Sequence, residues 1–357
     1  MSIMTSLNSY KYYKIDHGHK NILKIFFTLP VWFLRLITFQ RNTIVNNQIL
    51  DFQTQIFLSL QALQANTIDD PDSFESADEL REKLEGGREG LPLNAKPSQP
   101  IKIIDHVIKN QSFNLKIREY CPEKLKSSNA ILYFHGGGYV LGSIKTHDPW
   151  LQFFSSYLGA KIFSLEYRLA PENKFPSALK DANLALEWLA QENDLSISTV
   201  SLCGDSAGAH LAASLSTYRA IHGLELPHSQ CLLYPMTDPA CNSKSQIDFQ
   251  SGYFLTQQAM IWFWNQMIAS NDNLNEPTFN LTLDPKVPLP KTLIITAGFD
   301  PLSDEGEAYA RLLHNAGNEV QQIHYPHLIH GFVNMTSLKA AEGAAKDLIS
   351  EYKNLLS

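Results

Sequence analysis

The chain has 357 residues, 44% of them hydrophobic and 18% charged, a composition that excludes a disordered or fibrous protein. That length suits one large α/β domain carrying a smaller appendage. The net charge is −7, and no Lys/Arg run with interleaved aromatics occurs in the C-terminal part, so nucleic acid is not an expected partner.

Residues 1–50 hold Lys11, Lys14, Lys20, Lys24, Arg35 and Arg41 against Asp16 alone, which gives this end about +5 and the remainder about −12. Residues 22–39 are densely apolar but interrupted by Lys24, Pro30 and Arg35. The charge-free run 25–34 is half the length of about 20 residues that a spanning helix needs, and no small-x-small cleavage site follows it. Two readings of this segment stand: a lid helix packed over the C-terminal part, or a helix lying on an anionic membrane surface through residues 1–45. Residues 86–100 combine Gly and Pro with little apolar content. They read as a linker between an N-terminal helical segment, residues 1–90, and a larger C-terminal domain, residues 91–357.

From residue 101 onward, short apolar or β-branched runs alternate with helical stretches. Residues 101–108 and 114–120 read as a hairpin. Runs 130–134, 160–165, 200–203, 231–234, 292–297 and 320–324 read as buried strands. Helical patterning falls at 148–158, 177–191, 206–222, 256–269, 304–316 and 337–356. The expected fold class is therefore α/β, a mostly parallel central sheet with helices on both faces. Residues 237–290, with Trp262, Phe263 and Trp264 on a helix, read as an insertion that joins the N-terminal helices as a cap.

The strongest chemical signal is Gly204-Asp205-Ser206-Ala207-Gly208, a G-x-S-x-G pattern set directly between a strand and a helix. Such a turn strains the serine backbone, needs small neighbours, and lifts the hydroxyl out of the sheet's carboxyl edge. The following helix aims its free N–H groups at the reacting oxygen. Ser206 is accordingly the candidate nucleophile, the alternative being a Gly-rich turn with a serine N-cap. His135-Gly136-Gly137-Gly138-Tyr139 follows the run 130–134, so backbone without Cβ atoms can aim successive amides at one point. Gly136, Gly137 and Gly138 are the candidate oxyanion loop, with the Gly137 and Gly138 amides joined by that of Ala207, and His135 and Asp205 support the two motifs.

The base is expected in the loop after the last strand, where His330 precedes Gly331 and Phe332. His324 continues an alternating strand pattern, and His327 lacks a small neighbour. The acid must lie between nucleophile and base in chain order. Asp300 ends the run 292–299 before Pro301, where it serves either as that acid or as the N-cap of the next helix. Asp304 is the fallback, although it and Glu305 fall in a first helical turn, where acids offset the helix dipole.

HGGG at 135–138, YRLAPE at 167–172, FPSALKD at 175–181, GDSAG at 204–208, DPLSDEG at 300–306 and HGF at 330–332 occur in this order. With that set the chain resembles the hormone-sensitive-lipase-like esterases, the bacterial family IV carboxylesterases, over residues 100–357. The resemblance implies an α/β-hydrolase fold, the triad Ser206, Asp300 and His330, an oxyanion loop at 135–138, and a helical cap. It implies action on short- or medium-chain acyl esters without a metal. Residues 1–45 are longer and more basic than the resemblance covers.

The expected reaction is acyl transfer through Ser206 on a small-molecule acyl ester, with no cofactor. Two alternatives use the same scaffold: an inert ligand-binding receptor, like the gibberellin receptors that this family resembles, and an amidase, peptidase or lactonase with the same triad. Cys121, Cys203, Cys231 and Cys241 show neither C-x-x-C spacing nor paired histidines, which favours a reduced, cytoplasmic setting over a zinc or redox site. A homodimer is compatible with this reading.

Overall fold

The computed structural model describes residues 27, 29–63, 77–88, 94–110 and 113–356. Lys11, Lys14, Lys20 and Lys24, and residues 89–93 of the expected linker, lie outside the described residues. The N-terminal part comprises α1 (Val31–Thr38), a ribbon of β1 (Ile44–Val45) and β2 (Gln48–Ile49), α2 (Phe52–Leu63) and α3 (Ala77–Arg88). The linker begins later than residue 86, because α3 runs through Gly86 and Gly87 to Arg88. A glycine lowers helix propensity by about 1 kcal/mol but does not by itself end a helix.

Eight strands form the main sheet: β3 (Ile101–Lys109), β4 (Asn114–Pro122), β5 (Ala130–Phe134), β6 (Lys161–Glu166), β7 (Val200–Asp205), β8 (Ser229–Leu233), β9 (Lys291–Phe299) and β10 (Val320–Ile329). Their spatial order is β10-β9-β8-β7-β5-β6-β4-β3. Only β4 runs against its neighbours, pairing antiparallel with β3 and β6; the remaining pairs are parallel. Parallel neighbours need long crossovers, and helices supply them: α4 (Ile144–Leu158), α5 (Ser177–Glu192), α6 (Ala207–Ile221), then α7 (Lys244–Asp248) and α8 (Gln257–Met267) between β8 and β9, and α9 (Ser303–Asn315) before β10. The chain closes with α10 (Lys339–Leu356).

Two expectations shift. The helix read from residue 148 starts at Ile144, because Ser143 and Thr146 form a capping box and Pro149 is accommodated inside the helix. The last strand extends to Ile329 and takes His327 into the sheet.

The period of two along each strand divides the core between the sheet's faces. Leu132, Phe134, Leu202 and Ile294 share one buried cluster with Leu186 of α5, Leu211 and Leu215 of α6 and Leu313 of α9. Ile131, Tyr133, Cys203 and Ile295 share the other with Trp150 and Phe154 of α4 and Leu348 and Tyr352 of α10. The N-terminal part contributes to both, Leu34 and Phe52 packing on the second face and Leu80 on the first. Arg81 fastens α3 to the body: its Nε donates to Val140 O at 2.7 Å and its Nη2 to Ala170 O at 2.8 Å. Asn46, in the β1–β2 turn, donates to Asp248 Oδ2 at 2.7 Å and so joins the N-terminal part to the insertion. Among the described residues no helix is long and apolar enough to cross a membrane.

Candidate active site

Strands β5, β7, β9 and β10 all end at one rim of the sheet, and the motif residues follow them directly. Ser206 stands between β7 and α6 with φ 56° and ψ −118°, a conformation that costs on the order of 1–3 kcal/mol for a residue with a side chain. Its N–H donates to Leu233 O at 2.8 Å, and its carbonyl accepts from His210 N at 3.1 Å. A Cβ on Gly208 would collide with the Phe134 carbonyl, so α6 can approach β5 this closely only with glycine there.

His330 is the first residue beyond β10. Its Nε2 lies 3.0 Å from Ser206 Oγ and its Nδ1 lies 2.8 Å from Asp300 Oδ2. Asp300 is fully buried, and Ser206 and His330 are exposed by only 8% and 6%, so bulk water is nearly absent around the three groups. With Asp300 accepting from Nδ1–H, Nε2 is left to accept the serine proton. The other Asp300 oxygen accepts from Leu302 N–H at 2.8 Å. Asp304, the fallback, turns away and accepts from Ser245 N–H at 2.8 Å. His324 is engaged elsewhere, its Nδ1 2.9 Å from Thr296 Oγ1.

The candidate oxyanion loop follows β5. Gly137 and Gly138 adopt φ 126° and 61°, and among the described residues no hydrogen bond engages their amides or that of Ala207. Gly136 corrects the expectation: its N–H donates to Asp205 Oδ1 at 2.9 Å and is not free for an oxyanion.

The sequence pattern of the alpha/beta hydrolase fold matches residues 131–334. A carboxylic ester hydrolase, LipN, from Mycobacterium tuberculosis is 31% identical over 94% of this chain and 91% of the relative. The chain belongs to the α/β-hydrolase family. An ethyl acetate hydrolase from Pseudomonas putida is 33% identical over 75% of this chain and 87% of its own. Among solved structures, a hyperthermophilic esterase from the archaeon Pyrobaculum calidifontis superposes with a TM-score of 0.78 at 31% identity, covering 86% of this chain and 99% of that one. These relatives agree with the hormone-sensitive-lipase-like resemblance carried by the motifs.

In this α/β hydrolase Asp205 is a buried hub beneath the glycine loop that follows β5. Its Oδ1 accepts from the Tyr133 hydroxyl at 2.7 Å and from Gly136 N–H. Its Oδ2 accepts from His147 Nε2 at 3.3 Å and Asn334 Nδ2 at 3.4 Å. Burial pushes the carboxyl up, but attraction to His147 and the hydrogen bonds from His147, Tyr133 and Gly136 outweigh it and hold the group at about 2. His135 does not reach Ser206. Its Nδ1–H donates to Gly136 O at 2.9 Å and its ring stacks on Tyr167 at 4.2 Å. Burial, then repulsion from His147, pushes His135 down to about 3, so it is neutral and shapes the loop's backbone.

Sequence reasoning missed Tyr133, His147 and Asn334 in this hub. His147 lay outside the helix read from 148, so no helix face was assigned to it. Among the described residues no group of His, Cys, Asp or Glu is arranged to hold a metal ion.

Proposed function

We propose that the protein is a serine carboxylic ester hydrolase that cleaves short- to medium-chain acyl esters through an acyl-enzyme. Ser206 Oγ attacks the ester carbonyl while His330 Nε2 takes its proton, and Asp300 stabilises the resulting imidazolium. The amides of Gly137, Gly138 and Ala207 stabilise the tetrahedral oxyanion. His330 returns the proton to the leaving alcohol, and water then attacks the acyl-enzyme by the same route in reverse. The observation that carries this reading is the continuous chain Ser206–His330–Asp300, with links of 3.0 and 2.8 Å. The names of the relatives, ester hydrolases acting on ethyl acetate among them, support an ester as the substrate. Ser206→Ala is expected to abolish hydrolysis of p-nitrophenyl butyrate and covalent labelling by a fluorophosphonate. Labelling of the native chain at Ser206 also separates a hydrolase from an inert receptor; unchanged turnover in the variant refutes the assignment.

The 237–290 insertion and the N-terminal helices form the proposed cap; the Asn46–Asp248 bond supports their joining. The four thiols are free, which supports a reducing, cytoplasmic setting. We further assign α1 to a membrane surface. Leu34 is buried, whereas Trp32 and Leu36 on the opposite side, and Phe39 at the C-terminal cap, are exposed by 67%, 60% and 86%. An outward face of Trp, Leu and Phe beside a basic segment suits the interface of an anionic bilayer. Co-sedimentation with vesicles containing phosphatidylserine tests this: the native chain should bind, and Trp32→Ser/Leu36→Ser/Phe39→Ser should not. Equal binding by both refutes the assignment.

A further inference from the structure

One buried histidine outside the triad touches both the oxyanion loop and the insertion. His210 lies on α6 one turn beyond Ser206 and is fully buried. Its Nε2 is 2.8 Å from the carbonyl of Phe279, in the segment by which the insertion returns to β9. A carbonyl only accepts, so Nε2 carries the proton and Nδ1 is an acceptor. The hydroxyl 2.6 Å from Nδ1 belongs to Tyr139, directly after Gly138. Ser214 Oγ is also near Nδ1, at 3.3 Å, but its proton goes to Thr278 O at 2.6 Å. Tyr139 is therefore the donor. Burial pushes the imidazole down to about 4, against the hydrogen bond to Phe279 that raises it, and so keeps the ring in the neutral form this pattern needs.

Tyr139 needs holding. It sits at φ 63°, in the left-handed region, immediately after Gly138 at φ 61°; the glycine adopts this freely, but Tyr139 is strained just beside the point where an oxyanion amide is presented. The insertion presses on the same point, because a Cβ on Gly138 would collide with the ring of Phe263 on α8. Trp264 of α8 and Phe279 close around the His210 ring with centroids at 5.4 and 6.5 Å.

We propose that His210 is a positioning residue that ties the seat of the 237–290 insertion to the oxyanion loop, so that the Gly138 amide is correctly aimed when the insertion is docked. The inference rests on the esterase reading above and adds the coupling. His210 touches neither substrate nor the reacting atoms; it acts through Tyr139.

The test measures kcat and KM for p-nitrophenyl butyrate in His210→Leu, His210→Asn, Tyr139→Phe and the double variant His210→Leu/Tyr139→Phe. A misaimed oxyanion donor affects the transition state far more than substrate binding. His210→Leu and Tyr139→Phe should each lower kcat about 10–100-fold, with KM within about twofold. Asn places an oxygen near the Nδ1 position and keeps an acceptor for Tyr139, so His210→Asn should recover most of the lost kcat. The double variant should be no slower than His210→Leu, since both changes remove one link. Kcat within about twofold of native in Tyr139→Phe and His210→Leu, or losses that multiply in the double variant, overturns the proposal. Should His210→Leu fail to fold, Tyr139→Phe carries the test, because it removes a single hydroxyl. Fluorophosphonate labelling of the native chain separates the two levels. Absence of labelling at Ser206 removes the esterase reading, whereas labelling with unchanged variant rates removes the coupling alone.

Discussion

Glu305 offers the most quantitative test of the structure. It is fully enclosed at the start of α9, where its Oε1 accepts from Thr237 N–H at 2.7 Å and its Oε2 from Gln246 Nε2 at 3.1 Å. Burial is the larger influence and pushes its carboxyl from 4.5 up to about 8, although these hydrogen bonds oppose it. A protonated carboxyl also fits sterically: Gln246 Oε1 is buried without a partner, and turning that amide presents it to a Glu305 hydroxyl. Because the folded value is raised, Glu305 contributes stability that is complete below pH 4.5 and is lost as pH rises through about 8. The slope in between is about 1.4 kcal/mol per pH unit, giving a total on the order of 5 kcal/mol. Glu305→Gln keeps the shape and removes the titration. The difference in urea unfolding free energy between the two proteins, followed by tryptophan fluorescence from pH 5 to 9, cancels every other titrating group. Glu305→Gln should gain on the native chain steadily up to about pH 8 and then level off. Parallel profiles across that range would show that Glu305 is ionised in the folded protein and refute the burial argument.

Three further outcomes follow from the same geometry. Asp300→Asn leaves the shape but lets the imidazole take the wrong tautomer, so kcat should fall about 10³–10⁴-fold with p-nitrophenyl butyrate; a loss below tenfold would remove Asp300 as the orienting acid. Gly208→Ala drives a Cβ into the Phe134 carbonyl and should lower urea stability by about 3 kcal/mol or more, whereas a native unfolding midpoint would contradict the close approach of α6 to β5. Asp205→Asn replaces Oδ2, the acceptor for His147 and Asn334, with a donor. It should lower stability by about 2–3 kcal/mol at pH 7, and an unchanged midpoint would show that the hub contributes nothing.

The sheet was largely legible because its central strands are buried on both faces, so β5 and β7 read as continuous apolar runs. What patterning could not see was contact between distant segments. Gly136 has the same freedom as Gly137 and Gly138 in any sequence reading, yet Asp205, brought beside it by the β5–β7 pairing, takes its amide. His327 and His330 are three residues apart; only the continuation of β10 to Ile329 separates a sheet residue from one at the rim. For Gly136 the deciding interaction lies across the sheet, where no local period records it.

Asp300 shows how the structure decides between two readings that compete in sequence, because the N-cap of α9 is Leu302, without a side-chain cap bond, and the Asp300 carboxylate turns to His330. As an N-cap it would face the backbone of the next helix, and as the triad acid it would face the imidazole. A carboxylate has two oxygens, and the structure uses both, Oδ1 for Leu302 N–H and Oδ2 for His330 Nδ1. The first bond fixes the rotation of the carboxylate and thereby the direction of the second, before any substrate binds. Orientation of the base is then built into the turn after β9, where Asp300 is fully buried, instead of depending on a side chain free to rotate. The turn bond to Leu302 N–H is therefore part of the preorganisation of the proposed site, which is the physical reason an acid at this turn suits the proposed triad better than Asp304, one helical turn further on and already bonded to Ser245.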